Sequence, residues 1–138
     1  MSSDGPDADP STDPSEVDSA FRVLSDVHRR YALYYLRDRE TTNLEELATV
    51  LASWLGARDD ANTVITPEER ERLLVALHHA HLPDLDAAGL VRYDSVTGDV
   101  SLNSLPEVVE TALNLSLAQQ REAPGRPEKR RFGWRAGR

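Results

Sequence analysis

Four histidines are the residues best suited to chemistry in this 138-residue chain, and three of them fall in 78-HHAH-81, with His28 the fourth. Imidazole can ligate a metal, shuttle a proton or simply pack. Neighbouring residues on a helix point about 100° apart, so at most two of His78, His79 and His81 can share one ligand sphere without help from another segment. His81 falls on the apolar stripe of its helix, the stripe that His28 joins from the first helix, and reads as a packed, hydrogen-bonded residue. No metal ligand and no cofactor is assigned. The chain has no cysteine, which removes thiolate nucleophiles, thiolate metal sites and disulfides together. It also lacks a glycine-rich phosphate loop and an acid pair placed in an evident cleft, so it reads as a non-enzyme.

The remaining chemistry is ionic. The net charge of −8 is unevenly spread: residues 1–19 carry six acids and no base, whereas residues 121–138 carry seven bases against two acids. Within that tail, 129-KRRFGWR-135 sets Lys129, Arg130, Arg131 and Arg135 beside Phe132 and Trp134, a mixture able to grip phosphates and stack on bases. A tail shielded by the acidic body is the competing reading. Arg29 and Arg30 could touch a phosphate, but a pairing with a local acid such as Asp26 or Asp38 is favoured. Trp54 lies off the main stripe of its helix, suited to the core or to a partner surface.

The elements that must position these groups follow from periodicity and stop signals. Residues 1–15, acidic and proline-rich, are expected to be a disordered tail. Val17, Phe21, Leu24, His28, Tyr31 and Tyr35 recur at helical spacing and predict one long helix ending near Arg39. In 43–56, Asn43 can cap, Glu46 can close a capping box, Leu44, Leu47, Ala48, Leu51 and Leu55 form a stripe, and Gly56 supplies the stop. Thr66, Pro67 and Glu69 announce a third helix, which Pro83 should kink or interrupt near His81. Gly89 ends it. The segments 90-LVRYD-94 and 99-DVSL-102 flank a turn with Gly98 at positive φ and read as a hairpin. Ser104, Pro106 and Glu107 start a last helix to about residue 120, with Val109, Leu113 and Leu117 on one stripe and Val108, Ala112 and Leu115 beside it.

Three helices, a hairpin and a further helix predict a mainly α fold with a small β-hairpin: a winged helix-turn-helix over 16–104, a packing or dimerising helix over 105–120 and a flexible basic tail over 121–138. The run His81-Leu82, Leu85, Ala88-Gly89-Leu90-Val91 resembles the end of the recognition helix and the first wing strand of ArsR-type winged-helix regulators, and 24-LSDVHRRYALYYL-36 is similar to their first helix. The pairing of D-x-x-R-R-Y with H-L-P-x-L-D-x-A-G resembles, more closely, a family of small haloarchaeal winged-helix proteins of uncharacterised function, taken as transcriptional regulators. The likeness spans about residues 20–102. The abundance of Asp and the single lysine, Lys129, resemble the acidic proteins of salt-loving archaea.

What this resemblance implies is a cytoplasmic DNA-binding regulator, a homodimer on double-stranded DNA. Its third helix would enter the major groove through Arg72 and His79, with Arg92 contacting from the wing and the basic tail gripping phosphates. The third helix departs from the pattern: Glu68, Glu69, Glu71, Asp84 and Asp86 outnumber Arg70 and Arg72, and its outward line is Arg72, His79, Pro83 and Asp86. Acids beside a polyanion repel it. The alternative is therefore a protein-interaction module on a degenerate winged-helix scaffold. No apolar run reaches the length of a membrane span, and no membrane partner is expected.

Overall fold

A computed structural model of the protein describes residues 14–59 and 64–122. It contains α1 (Pro14–Leu24), α2 (Val27–Arg39), β1 (Thr41–Asn43), α3 (Leu44–Asp59), α4 (Pro67–Ala76), a π-helical turn (Leu77–His81), α5 (Leu82–Ala87), β2 (Val91–Tyr93), β3 (Asp99–Leu102) and α6 (Glu107–Glu122). The architecture is mainly helical with a small antiparallel sheet, in the order of a winged helix-turn-helix followed by a C-terminal helix.

The expected first helix is in fact two. Asp26 takes an extended conformation and its carboxylate accepts the backbone N–H of His28, capping α2 and closing off α1 two residues earlier. An aspartate in mid-stripe competes for backbone donors, and here that local bond outweighs helical continuity. The apolar spacing survives the break because both helices pack on the same core: Ala20, Val23 and Leu24 are buried from α1. Phe21 is not, being 56% exposed. Helix α1 already begins at Pro14, inside the segment expected to be a tail; residues 1–13 lie outside the described residues.

Helix α2 is the centre of the molecule. Tyr31, Ala32, Leu33, Tyr34, Tyr35 and Leu36 are all buried, a continuous run that places apolar surface on every side of the helix. It packs on α1, α3, β1 and β3. Trp54 from α3 is half-buried and meets Tyr31 and Tyr35 edge-on, each at 5.8 Å between ring centroids, so it belongs to the core margin. Helix α3 starts as expected, with Asn43 Oδ1 accepting the Glu46 N–H at 2.9 Å. Glu46 does not turn back to close a capping box; it accepts a hydrogen bond from the Tyr35 hydroxyl. Gly56 does not stop the helix, which continues to Asp59.

The hairpin β2–β3 forms at the expected place, and Gly98 turns it at φ 85°. What periodicity did not reveal is β1, which pairs antiparallel with β3 through Thr41↔Ser101, Thr42↔Val100 and Asn43↔Asp99, giving the order β1-β3-β2. Three residues, TTN, carry no readable alternation. Their pairing is extended by the Leu44 N–H on the Gly98 carbonyl at 2.8 Å and the Leu102 N–H on the Glu40 carbonyl at 2.9 Å. Helix α6 begins at Glu107, with the Pro106 carbonyl accepting from Val109 and Glu110. Val109 and Leu113 are buried, whereas Leu115, expected beside their stripe, is 64% exposed.

Two expectations follow from the joint between α2 and β1. Glu40 sits at φ 72°, ψ −35°, a conformation costly for any residue with a Cβ, and its backbone bonds do not need its side chain. Glu40→Gly is expected to raise stability by about 0.5–1 kcal/mol, or roughly 2–6 °C in Tm, measured by thermal unfolding. Burial and the bond to Glu46 push the Tyr35 hydroxyl up from 10.0 to about 12. The folded state thus holds this proton more tightly than the unfolded state. Its contribution is complete below about pH 10 and falls away as pH rises toward 12. Tyr35→Phe should flatten that part of the alkaline stability curve in chemical denaturation, while lowering stability at neutral pH.

Candidate nucleic-acid interface

The third helical unit is built from α4, the π-helical turn and α5, and each part has a local cause. At its start Thr66 and Glu69 form a complete capping box, at 3.1 and 3.0 Å, with Pro67 in the first turn. Arg70 then locks α4 to α3, donating to Thr49 Oγ1, the Glu45 carbonyl and Glu45 Oε1 at 2.7, 2.7 and 3.0 Å. In the middle the helix widens. Pro83 has no N–H and its ring would crowd the preceding carbonyls of a regular α-helix; a π-helical turn, with the Leu82 N–H reaching the Leu77 carbonyl, relieves both problems without breaking the rod. The expected interruption is therefore a widening centred on 77–81. At the end, Gly89 adopts φ 81°, and the Leu90 N–H returns to the Leu85 carbonyl at 3.0 Å, a Schellman-type close.

One face of this unit is core. Leu73, Leu77, Leu82 and Leu85 are buried, while Leu74 is only half-buried. The opposite face carries Arg72, His79, Pro83 and Asp86, all exposed, as the spacing predicts. Arg72 stands at the rim of a cleft of about 360 Å³ between α3 and α4, lined also by His28, Ala52, Leu55 and Glu69.

The acids at the end of the unit are framework residues. Asp84 Oδ2 accepts Arg29 Nη1 at 2.6 Å, and Arg29 Nε donates to the Val23 carbonyl at 2.9 Å, so one guanidinium ties α1, α2 and α5 together. Neither Asp26 nor Asp38 is the partner of Arg29. Arg30 donates to the Leu24 carbonyl at 2.7 Å. Asp86 Oδ2 accepts the backbone N–H of Tyr93 at 2.9 Å, fastening α5 to the wing. His78 makes a second link to the wing, its Nδ1 lying 2.7 Å from the Tyr93 hydroxyl.

His81 departs from its expected hydrogen-bonded state. Its ring stacks on that of His28, with centroids 5.0 Å apart and planes 16° from parallel, and its Nδ1 is buried with no hydrogen-bond partner among the described residues. Burial holds the His81 imidazole below its ordinary value, partly opposed by Asp26. His28 Nδ1 in turn lies 2.9 Å from Asp26 Oδ1.

The wing places Arg92 apart from the helical pair. Val91 is buried and Tyr93 turns to His78, so strand alternation sends Arg92 to the other face of the sheet. There it is exposed in a groove shared with Glu46, Asp94 and Asp99. Arg72 and Arg92 make no ion pair or hydrogen bond among the described residues. Asp94 accepts the N–H groups of Val96 and Thr97, and these bonds hold its carboxyl below the usual carboxylate range. Lys129, Arg130, Arg131 and Arg135 lie outside the described residues.

Residues 21–101 match the model of a family described as a domain of unknown function, DUF7344. The chain belongs to this family. No curated protein and no solved structure matches it. The DUF7344 match runs from the last turn of α1 to within one residue of the end of β3, so the capped α2, the π-helical turn and the wing all lie inside it, whereas α6 lies outside.

The cations divide into scaffold and surface groups, and this division can be measured. Arg29→Ala leaves the Val23 carbonyl and the Asp84 carboxylate without their donor and should cost about 1–3 kcal/mol in urea unfolding. Arg92→Ala, with nothing to lose among the described residues, should stay within about 0.5 kcal/mol.

Proposed function

We propose that this protein is a winged-helix DNA-binding regulator, in which α4, the π-helical turn and α5 enter the major groove of double-stranded DNA. The observation that carries this reading is the disposition of charge on that unit. Asp84 is paired with Arg29, and Asp86, exposed on the outward line, is held to the wing backbone, while Arg72 and His79 stand exposed on that same line. Arg72 and His79 would meet bases or phosphates, Arg92 would contact the backbone from the wing, and Lys129, Arg130, Arg131 and Arg135 would add a sequence-independent grip. A homodimer through α6 and α1 fits the exposure of Leu115 and Phe21 on those two helices, which pack on each other. A cytoplasmic site of action accords with this reading; among the described residues no helix is long and apolar enough to cross a membrane.

A second reading, a protein-interaction module that does not read DNA, is favoured by two observations: Arg92 shares its groove with Glu46, Asp94 and Asp99, and Val75 and Val96 are exposed at 45% and 91%.

The two readings separate in a fluorescence anisotropy titration of the full chain with duplex DNA from its own upstream region, over a series of salt concentrations. DNA reading predicts that Arg72→Ala weakens binding by roughly 1–3 kcal/mol if Arg72 reaches a base, or lowers the salt slope by about one if it reaches a phosphate. Absence of duplex binding at every salt concentration, together with recovery of one stoichiometric protein partner whose capture is lost on Val75→Asp, would establish the second reading instead.

A further inference from the structure

Asp26, His28 and His81 converge although they come from different elements: the N-cap of α2, its first turn, and the π-helical turn of the third unit. One ligating atom can be taken from each such that all three lie within 4.8 Å of one another. Asp26 and His28 are about one-third exposed, so water can reach the group, and His28 also lines the cleft between α3 and α4. Among the described residues His81 Nδ1 is buried without a hydrogen-bond partner, which is costly for a polar nitrogen unless something binds it. The nearby guanidinium of Arg29 is engaged by Asp84.

We propose that Asp26, His28 and His81 form a site for a divalent transition metal ion of the zinc class, with water completing the coordination. Two imidazoles and one carboxylate are the nitrogen and oxygen donors such ions take in the absence of thiolates, and they leave open positions on the metal. The stacked rings describe the metal-free arrangement. A metal lies in the plane of each ring that binds it, so the two rings must swing out of parallel. The ligating atoms, all within 4.8 Å of one another, must also settle at the ~3.3 Å separation that tetrahedral bonds of about 2.0–2.1 Å impose. Side-chain rotation of His28 and His81 supplies both movements. Asp26 keeps its cap on the His28 N–H through one oxygen and has lone pairs to spare. A bound ion would join the start of α2 to the widened turn of the third unit, two segments otherwise linked there by ring stacking.

The test uses the full chain, freed of metal by a chelator and titrated with Co²⁺ while its visible absorption is followed, then back-titrated with Zn²⁺. The expected result is one saturable site, a Co²⁺ band that Zn²⁺ abolishes, and about tenfold or greater weakening in His28→Ala and in His81→Ala, with the double variant His78→Ala/His79→Ala unchanged. To separate loss of ligand from loss of fold, the imidazole NMR signals of the unaltered protein are followed in the same titration. Those of His28 and His81 should broaden first and that of His79 last. No saturable band, equal affinity in well-folded His81→Ala, loss confined to the His78/His79 variant, or broadening that begins at His79 would each overturn the proposal.

Discussion

The structure depends on the enclosure of α2. Six consecutive buried residues, Tyr31 to Leu36, leave this helix no solvated side over nearly two turns, so other elements must cover it all round. Helix α1 folds back at Asp26 to cover one flank, α3 covers another with Leu47, Ala48 and Leu51, and β1 with β3 closes a third. The third unit and the wing are then held by what this arrangement offers them. Each large side chain fully withdrawn from water contributes about 1.5–3 kcal/mol, and α2 is where most of the layers draw on that contribution together.

Around this hub the polar groups act as fasteners rather than as a solvated coat. Arg29 spans three helices, Arg70 clamps α4 to α3, and Arg37 reaches α6 through Glu110 and Asn114, both at 2.9 Å. Asp86 and His78 both reach Tyr93, so the wing is set against the third unit by one backbone and one side-chain bond. The Arg29–Asp84 and Arg37–Glu110 pairs are charge-assisted and part-buried, and therefore lose less to salt than fully exposed pairs do. The Arg29–Asp84 pair also offsets one negative charge at the end of the third unit.

The π-helical turn shows how one local fault can organise a larger arrangement. Pro83 disrupts a regular α-helix across 77–83, and the wider turn accommodates it while His78, His79 and His81 project in three directions. His78 goes to the wing, His79 to solvent and His81 to His28. Three neighbouring residues of one type thereby acquire three separate surroundings.

Much of this was legible in the chain itself. The Thr66–Glu69 capping box, Asn43 at the start of α3, Gly89 and Gly98 at positive φ, and the outward line Arg72, His79, Pro83 and Asp86 are set within a few residues, by side chains bonding to nearby backbone and by the helical period. What only the tertiary structure decided is where groups distant in sequence meet. Asp84 lies 55 residues from Arg29 and was indistinguishable in the sequence from a solvated acid; β1 is too short to show a period and exists because β3 pairs with it. The approach of His28 and Asp26 to His81 has the same origin. Local bonding and periodicity orient a side chain, but its partner is chosen by how the layers close over α2, and that closure is a property of the whole chain.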